Sequence, residues 1–433
     1  MTDFDAIVVG AGPAGAAAAL RLAKAGRSVL LVERGPFPGA KNMYGGVIYG
    51  RILDEVVPRW WEQVPVQRWI TRRATMITTA EQALSIDYRT QAWGCEPYNG
   101  FTAYRAEFDS WLAGHAERAG AVLLCSATVT DLIRDANGRV VGVQTDRPDG
   151  EVRAKVVIAC DGVHSFLARS AGLYDNFSAE HITVGVKEVL GLPRQVIEER
   201  CGLTGDEGLD IEILGCTKGV PGGGFLYTNR DTISVGVVLS VTGLAKAGVR
   251  PEELIARLKA HPSIAPILAG AQLKEYTAHT IPEGGYDAMP KLAADGLLVA
   301  GDAAGFCLAA GIWLEGVNYA IGSGLVTGEV AAGALAAGDT GQAMARAYDK
   351  ALRDTFVLAD HAKLRRAPHL VLSDRVQTQY PAFICDLVEQ VFTVTNPQPK
   401  AGMRRWFGAQ RRRHDVKLRH LAADALTGLR SFG

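Results

Sequence analysis

Three glycines and one glutamate near the N-terminus have the types and the spacing needed to bind a dinucleotide. Gly10, Gly12 and Gly15 follow the apolar run 6–9, and Glu33 ends the next apolar run. The first glycine permits a tight turn after a strand, the second lets the backbone approach a pyrophosphate, and the third lets the next helix pack on the sheet. Glu33 stands where a carboxylate accepts hydrogen bonds from a ribose diol.

The elements around this motif follow from the flanking residues. A strand at Ala6–Val9 and a helix from about Pro13 to Ala25 would direct free N–H groups and the positive end of the helix dipole at the phosphates. A second glycine pattern, Gly322–Gly328, has no strand before it, and its last spacing is one residue too long. We therefore interpret that pattern as small residues at a contact between helices.

The composition narrows the class of protein. The chain has 433 residues, of which 48% are hydrophobic and 21% charged, so it can bury the core of one large domain or two modest ones. Lysine plus arginine equals aspartate plus glutamate, at 46 each. This balance argues against nucleic acid as the main partner.

The cysteines favour free thiols. Seven cysteines, at positions 95, 125, 160, 201, 216, 307 and 385, lack the close spacing that iron–sulfur clusters and structural zinc sites need, so we predict no metal site. Their odd number favours thiols in a reducing cytoplasm, with an internal disulfide or redox pair as the alternative. Asp3 and Asp5 precede the first strand without a basic run, so no secretory signal is predicted.

The most apolar stretch of the chain is Gly296–Gly338. It is rich in glycine, and it is interrupted by Asp302, Glu315, Asn318 and Glu329. We interpret it as a buried strand followed by a buried helix and not as a membrane span.

The pattern of apolar runs predicts an α/β fold in which two domains are interleaved along the chain. A Rossmann-type domain with parallel strands alternates with a domain built on an antiparallel sheet. The predicted boundaries are 1–50, 101–175 and 291–340 for the dinucleotide-binding domain, 51–100 and 176–290 for the substrate-side sheet domain, and 341–433 for a helical C-terminal region.

Two more pairings of glycine with an acid follow predicted strands, at Asp161-Gly162 and in the run Gly301-Asp302-Ala-Ala-Gly305. Together with the N-terminal motif, they resemble the FAD-dependent enzymes built on the p-hydroxybenzoate hydroxylase plan. The resemblance implies that the N-terminal motif binds the ADP half of FAD. It also implies that Asp161 and Gly162 lie beside the flavin and that Asp302 holds the ribityl chain.

Asp302 has two interpretations. Its carboxylate can accept a ribityl hydroxyl, while a helix starting near Ala303 directs its positive end at the pyrophosphate or the reduced flavin. Alternatively, Asp302 only caps that helix.

The same resemblance extends to Arg105 and Val129. In this group an arginine near the start of the corresponding helix reaches the cofactor, and the position of Val129 makes a backbone contact to adenine. The alternatives are a surface arginine paired with Glu107 or Asp109, and an ordinary strand valine.

Four longer stretches carry a finer resemblance. They are Pro38–Gly46, Val184–Glu188, Gly222–Asn229 and Gly301–Leu308. They resemble the C subunit of the Fix electron-transfer system, a relative of electron-transfer-flavoprotein:quinone oxidoreductase in the geranylgeranyl-reductase superfamily. The resemblance implies an FAD protein that takes electrons from a two-subunit electron-transfer flavoprotein and passes them to quinone. It also implies electron bifurcation toward ferredoxin or flavodoxin for nitrogenase, in the cytoplasm at the surface of the membrane.

The chain departs from the quinone oxidoreductases at its C-terminal end. Those proteins carry an iron–sulfur module, whereas Cys385 is the only cysteine here after Cys307. A small ferredoxin-like partner is therefore part of the hypothesis. A basic stretch suits such an acidic partner or anionic lipid, with a solvated helix face as the alternative. Its residues are Arg404, Arg405, Arg411, Arg412, Arg413, Lys417 and Arg419.

The quinone site is expected to be an apolar channel, with Trp60, Trp61 and Trp313 as candidates for its entrance. Ordinary core or surface aromatic residues are the alternative. By resemblance, Lys41, Asn42, Gly45 and Gly46 lie near the isoalloxazine, where Lys41 can stabilise a reduced anionic flavin or serve as a plain loop lysine. No catalytic acid or base is assigned. The predicted cofactor-binding residues are Gly10, Gly12, Pro13, Ala14, Gly15, Glu33, Arg34, Lys41, Asn42, Gly45, Gly46, Arg105, Val129, Asp161, Gly162, Gly301, Asp302 and Gly305.

Three other functions fit the same sequence. A geranylgeranyl-type reductase would need a lipid tunnel, and a flavin monooxygenase would need NAD(P)H, for which no second dinucleotide motif is present. A non-enzymatic FAD-binding protein is the third.

Overall fold

The computed structural model describes residues 2–41, 46–175, 177–311 and 313–432. Two large sheets and a set of helices make up this part of the chain. Its strands are β1 (Phe4–Val9), β2 (Val29–Val32), β3 (Gly46–Tyr49), β4 (Arg68–Thr78), β5 (Ala83–Arg89), β6 (Gly100–Ala103), β7 (Val122–Leu124), β8 (Val129–Arg134), β9 (Val140–Thr145), β10 (Glu151–Ala159), β11 (Ile182–Gly191), β12 (Glu207–Leu214), β13 (Gly222–Thr228), β14 (Thr232–Ser240), β15 (Gln272–Pro282), β16 (Ala293–Ala294), β17 (Leu297–Val299), β18 (Leu308–Ala309) and β19 (Leu314–Glu315).

The helices belong to both halves of the chain and make up most of its C-terminal part. They are α1 (Pro13–Lys24), α2 (Arg105–Arg118), α3 (Phe166–Ser170), α4 (Arg194–Cys201), α5 (Val241–Ala247), α6 (Pro251–Ala260), α7 (Ala265–Leu268), α8 (Val317–Ala337), α9 (Gln342–Arg353), α10 (Phe356–Lys363), α11 (Ala367–Val371), α12 (Tyr380–Phe392), α13 (Met403–Arg413) and α14 (Leu418–Phe432).

The first sheet has a parallel centre. Its strand order is β16-β17-β10-β1-β2-β7, and the pairs from β17 to β7 are parallel. The hairpin β8–β9 joins it through β10. Parallel strands are covered on both faces, which explains why β2 is a continuous apolar run with all four residues buried.

The second sheet has nine strands in the order β15-β11-β14-β13-β12-β4-β6-β3, with β5 paired to β4. Its pairs are antiparallel except β12–β4, which is parallel. The expected antiparallel sheet is therefore present with one parallel pair. Strand β3, which precedes the boundary we place at residue 50, is hydrogen-bonded into this second sheet.

The two faces of the second sheet differ in chemistry because side chains alternate along each strand. One face carries Val186, Ile211, Leu226 and Val235, which form an apolar core with helices α4, α6 and α7. The opposite face carries polar and aromatic residues. Register partners in antiparallel strands share a face, so this second face, called here the polar face, includes Lys187, Asp210, Glu212, Phe225 and Tyr227.

Helix α1 forms because Pro13 fits its first turn and the alanines that follow are strong helix formers. It packs against α8. A Cβ on Gly324 would lie 2.1 Å from the Ala14 carbonyl oxygen, and a Cβ on Gly328 would lie 2.7 Å from that of Ala18. This close approach confirms that the glycines of 322–328 form a helix–helix contact.

Helix α8 is long and apolar enough to cross a membrane by length and composition alone. More than half of its most apolar window is buried inside the protein. It therefore serves as a core helix of this fold, as expected for Gly296–Gly338.

The helix expected to start near Ala303 is absent from its predicted place. Residues Gly301–Ala304 form a single 3₁₀ turn, and the next helix in the chain, α8, begins only at Val317. Gly305 ends the turn in the left-handed conformation, with φ of +78°. Asp302 is thus not the cap of a helix beginning at Ala303, and that interpretation was wrong, as was the helix dipole expected there. The contact of its carboxylate with the ribityl chain stays a prediction.

Candidate functional site

The N-terminal glycines make the close approaches that their spacing predicts. A Cβ on Gly10 would lie 2.3 Å from the Cys160 carbonyl oxygen, and a Cβ on Gly15 would lie 1.9 Å from the carbonyl oxygen of Gly10. Gly10 also has a positive φ of +98°. Any side chain at these two positions would separate α1 from the ends of β1 and β10.

Gly12 differs from these two glycines because a Cβ there would meet no atom within 4 Å. It is the N-cap residue of α1, so its open side lies at the positive end of that helix. This is the arrangement that a pyrophosphate requires at a helix N-terminus. Pro13 and Ala14 form the first turn there, and Gly301 closes against Ala14, to whose Cβ an added Cβ would come within 2.9 Å.

Glu33 is buried and held by the backbone of two loops. Its Oε2 accepts a hydrogen bond from the Ala11 N–H at 3.0 Å, and its Oε1 accepts one from the Gly35 N–H at 2.7 Å. Each carboxylate oxygen can accept a second hydrogen bond. The carboxylate is therefore fixed in orientation beside the glycine turn and can still receive a ribose diol.

The segment before Val129 lies beside Glu33. The Ser126 N–H donates to the Gly35 carbonyl at 2.8 Å, and the Ala127 N–H donates to the Glu33 carbonyl at 3.1 Å. Val129 itself begins β8 and is half-buried. Its neighbourhood agrees with an adenine contact, which stays a prediction.

Asp161 is held by its own loop. Its Oδ1 accepts from the Ser165 hydroxyl at 2.5 Å, and its Oδ2 accepts from the Leu167 N–H at 3.3 Å. Burial raises its pKa, and these hydrogen bonds oppose that rise. The neighbouring Gly162 has a φ of +84° and open space where a Cβ would be. The pair therefore forms a rigid corner at the carboxyl end of β10.

Arg105, Asp302 and His279 come together from three separate parts of the chain. Arg105 Nε and Nη2 bind the two carboxylate oxygens of Asp109 at 2.8 and 2.9 Å, so the ion pair considered as the alternative does form. Arg105 also remains close enough to Asp302 for each to shift the pKa of the other. The pair with Asp109 holds the guanidinium in place and does not remove it from the site.

His279 was not predicted from the sequence. Burial lowers its pKa, and the charge of Asp302 opposes that effect, while Arg105, His164 and Arg34 act in the same direction as burial. Burial also raises the pKa of Asp302, against the effects of Arg105 and His279. Arg34, Arg105 and Asp302 therefore lie close enough to this histidine of strand β15 for their charges to act on it.

For several of the predicted cofactor-binding residues, no described side-chain contact links them to Arg105, Asp302 and His279. Lys41 and Gly46 border positions 42–45, and Lys41 is exposed. The predicted residues Asn42 and Gly45 lie outside the described residues. Gly305 turns the chain after Asp302, and a Cβ there would approach the Phe177 ring at 3.3 Å.

The tryptophan candidates for a quinone entrance do not form one lip. Trp60 is 1% exposed, and its ring packs on Trp61, Trp69 and Phe101, so its assignment to an entrance was wrong. A Cβ on Gly50 would lie only 2.4 Å from the Trp60 ring, which shows how closely the backbone covers it. Trp61 is half-buried in the same aromatic cluster.

Trp313 belongs to a different part of the molecule. Its ring packs against Phe432 of α14, with centroids 5.8 Å apart.

Lys187 is the second functional candidate that the sequence reasoning missed. It is 1% exposed on the polar face, in β11, and burial lowers its pKa to about 7, against the charge of Glu275. Arg105 lies close enough to lower this pKa further. A charged residue inside the apolar run 182–191 was the available signal.

A buried ionic group occupies the same polar face three strands away. Arg73 Nε lies 3.3 Å from Asp210 Oδ2, and Arg73 Nη2 lies 2.5 Å from Glu212 Oε1. The Arg73 guanidinium also stands 5.5 Å from the centroid of the Tyr49 ring. The alternation of acids with apolar residues in 209–213 was the sequence signal for this group.

The described residues fit FAD. The open Gly12, the oriented carboxylate of Glu33 and the group around Asp302 lie at the carboxyl ends of parallel strands, where α/β sheets bind nucleotides. When bound, FAD would supply the exchange of electrons singly or in pairs, and these residues would hold and orient it.

Comparison with known proteins identifies the class. Residues 3–350 match the family model described as FAD binding domain. Protein FixC of Bradyrhizobium diazoefficiens is 39% identical over 395 residues, which are 90% of this chain and 90% of that protein. The probable electron transfer flavoprotein-quinone oxidoreductase YdiS of Escherichia coli K12 is 38% identical, over 90% of this chain and 91% of that protein.

Solved structures show the same fold. A geranylgeranyl bacteriochlorophyll reductase-like protein from Thermoplasma acidophilum has a TM-score of 0.71 at 22% identity, over 96% of this chain and 99% of that chain. The flavin-dependent brominase Bmp2 has a TM-score of 0.66 at 18% identity, over 96% of this chain and 100% of that chain.

The fold and the sequence matches define an FAD-dependent oxidoreductase of mixed α/β architecture. The chain belongs to the FixC family. The resemblance, the fold class and the FAD cofactor predicted from the sequence are thereby confirmed.

Proposed function

We propose that this chain passes electrons from a partner electron-transfer flavoprotein, through FAD, to a quinone. The observation that carries the proposal is the similarity to FixC proteins and to a probable electron transfer flavoprotein-quinone oxidoreductase over nine-tenths of both chains. The polar face of the second sheet adds support, because it offers charged and aromatic side chains to a planar, polar-edged acceptor.

The decisive experiment uses the FAD-loaded protein, reduced anaerobically and mixed with a short-chain quinone in a stopped-flow instrument. We expect rapid, quinone-dependent return of the oxidised flavin absorbance, and no direct reduction of the flavin when NADPH is supplied. Fast reduction by NADPH with oxygen uptake on a phenolic substrate would instead identify a monooxygenase. Saturation of an isoprenoid substrate by the reduced protein would identify a reductase of the geranylgeranyl type.

The chain would act as the quinone-reducing subunit of a Fix-type bifurcating complex, supporting reduction of ferredoxin or flavodoxin and, through them, nitrogen fixation. A small ferredoxin-like subunit is needed because Cys385 is the only cysteine after Cys307, and burial raises the pKa of both thiols. Iron analysis tests this need. The purified chain should contain no iron, and a complex formed by co-expression with such a subunit should contain it.

A peripheral contact with the cytoplasmic membrane has a structural candidate in α14. Leu418, Ala422, Ala425, Leu426 and Leu429 are exposed and recur at helical spacing, so they form an apolar stripe directed away from the protein. Arg419 and Arg430 are exposed on the same helix. A helix with an outward apolar stripe and flanking arginines suits the interface of an anionic bilayer.

Two of the basic residues before α14 have partners within the protein. Arg411 donates to the Val416 carbonyl, and Arg413 pairs with Asp386. Arg404, Arg405 and Arg412 are exposed in α13, where they can meet lipid phosphates or an acidic partner.

A further inference from the structure

We propose that Glu212, with Asp210 and Arg73 beside it, is the proton donor to the quinone on the polar face of the second sheet. The inference rests on the proposed function, since it concerns the acceptor of that reaction. It assigns an acid where the sequence assigned none.

The chemistry requires a donor. Reduction of a quinone to the hydroquinone consumes two electrons and two protons, and two new O–H bonds form. FAD, when bound and reduced, would supply both electrons and one proton. The second proton must come from an acid near the other quinone oxygen, and that acid becomes a base to be reprotonated from solvent.

The polar face provides a row of residues suited to a flat acceptor. Lys187, Gly236, Phe225 and Glu212 are successive register partners on β11, β14, β13 and β12. The Phe225 ring lies over Gly236, where a Cβ would come within 2.4 Å of it. From Lys187 to Glu212 the backbone distance is about 14 Å, so two long side chains can point at opposite edges of one ring between them.

Phe225 is a suitable floor for that ring. It is half-buried, and it stacks on Tyr227 with centroids 5.4 Å apart and an interplanar angle of 14°. A quinone ring on this aromatic pair would gain apolar contact on its face. Its two carbonyl oxygens would be directed toward Lys187 and Glu212.

The groups around Glu212 explain why it can hold a proton. Asp210 and Glu212 both pair with Arg73, and the described ion pairs give them no second cation, so full ionisation of both would leave a buried negative charge. Burial raises the pKa of each carboxyl, and the charge of Asp210 raises that of Glu212 further, against the effect of Arg73. Among the described residues, the other titratable groups that interact with this pair are Tyr49, Tyr227 and Glu315.

The same group borders the predicted flavin side. Glu315, which acts on the pKa of Glu212, accepts a hydrogen bond from Asn318 in the first turn of α8. The second turn of α8 contacts the turn Gly301–Ala304, which contains Asp302, since the Gly301 N–H donates to Ser323 Oγ at 3.0 Å. Tyr49 is the last residue of strand β3, and this strand directly follows the loop predicted to lie near the isoalloxazine. The carboxyl pair therefore lies on the face of the sheet that borders the predicted flavin side.

The first test compares two acceptors. Ferricenium takes up one electron and no proton, whereas a short-chain quinone must take up protons as well as electrons. We expect reduced E212Q to be reoxidised by the quinone at least tenfold more slowly than wild type, and by ferricenium at the wild-type rate. Equal quinone rates for E212Q and wild type would overturn the proposal. Absence of quinone reduction in wild type would instead contradict the proposed function.

A matched control comes from the opposite face. Glu188 is also a buried carboxyl of this sheet paired with one cation, Lys259, at 2.6 Å. E188Q should keep both rates, and a selective quinone defect in E188Q would overturn the assignment. Should E212Q not retain FAD, E212D keeps the acid one methylene further away and should show the same selective loss.

A second readout does not use turnover. Infrared titration of the flavin-free protein should show the carbonyl band of a protonated carboxyl group near neutral pH that E212Q lacks and E188Q keeps. Identical bands in wild type and E212Q across the titration would show that Glu212 holds no proton there, which overturns the proposal.

Discussion

Glu33 is one residue whose role and orientation follow from the spacing of the N-terminal motif. Its carboxylate receives two backbone N–H groups, and its remaining lone pairs are available to a ligand. We predict that E33Q lowers FAD affinity about tenfold, since an amide cannot accept hydrogen bonds at both positions and the lost bonds are to a charged group. Titration of flavin-free protein with FAD, followed by fluorescence, measures this change.

The exposed Glu151, paired with Arg153, provides the control for E33Q. E151Q should bind FAD as wild type does. Equal affinity of E33Q and wild type would show that Glu33 only organises its own loops.

Lys187 gives a prediction about pH. Its pKa is lowered to about 7 in the folded protein, from an ordinary value near 10.5 in the unfolded chain. Between these values the unfolded state holds a proton that the folded state has lost, so stability rises with pH. K187M lacks the titrating group, so it should be more stable than wild type at pH 7. The difference in their free energies of unfolding should shrink by about 1.4 kcal/mol per unit as the pH rises across this window.

Denaturant unfolding of the flavin-free proteins at pH 7, 8 and 9 tests this dependence. A constant difference between K187M and wild type would contradict the lowered pKa.

The sequence predicts residues whose role depends on local spacing, and it misses those assembled by the sheet. Gly10, Gly15 and Glu33 lie within one strand–helix–strand unit, and their geometry follows from it. His279 and Arg105 are 174 residues apart in the chain, yet both lie close enough to Asp302 to act on its pKa. Such neighbours are set by long-range pairing, which a local pattern does not contain.

At the scale of elements, the contact of α1 with α8 links stability to cofactor binding. We predict that G324A lowers the melting temperature of the FAD-loaded protein by a few degrees and weakens FAD binding. The added Cβ would lie 2.1 Å from the Ala14 carbonyl oxygen, which forces α8 away from the first turn of α1. Thermal unfolding and flavin content measure both effects.

Gly333 of the same helix is the matched control. A Cβ there meets nothing within 4 Å, so G333A should raise stability by about 0.5–1 kcal/mol through helix propensity alone. Equal effects of the two substitutions would mean that the contact with α1 does not matter.

The helix predicted to start near Ala303 shows where a prediction from composition fails. The run after Asp302 is rich in alanine, which favours a helix by composition. The left-handed Gly305 and Gly311 interrupt it, and the short hairpin β18–β19 intervenes before α8. Glycine is a poor helix former, so these two residues were the available signal, but the φ that each adopts is set by its tertiary surroundings.

At the scale of the whole molecule, the outward stripe of α14 predicts membrane binding. L426E/L429E should lose flotation with vesicles of anionic lipid, which wild type should bind in a salt-dependent manner. I86E is the control, because Ile86 is 74% exposed in β5, far in sequence from α14, and Leu429 is 73% exposed. Flotation of L426E/L429E equal to wild type would assign the stripe to a protein partner or to solvent.

The interleaving of two sheets follows from the order of apolar runs, but the pairing within them does not. The parallel contact of β12 with β4 joins segments more than 130 residues apart and makes one sheet from two predicted blocks. This pairing places Arg73 of β4 beside Asp210 and Glu212 of β12 on the polar face of the second sheet. Their ionic group could therefore not be predicted from the sequence.

The contact between Ala14 and Gly324 also sets the order in which the protein can fold during translation. The helix that begins the nucleotide site waits for a partner made some 300 residues later, which at ribosomal rates is about 15–60 s. Throughout that interval the face of α1 that packs on α8 is uncovered on the nascent chain. We therefore expect FAD capture to be a late event in biogenesis, and a ribosome stalled before α8 to carry a segment that attracts chaperones and retains no flavin.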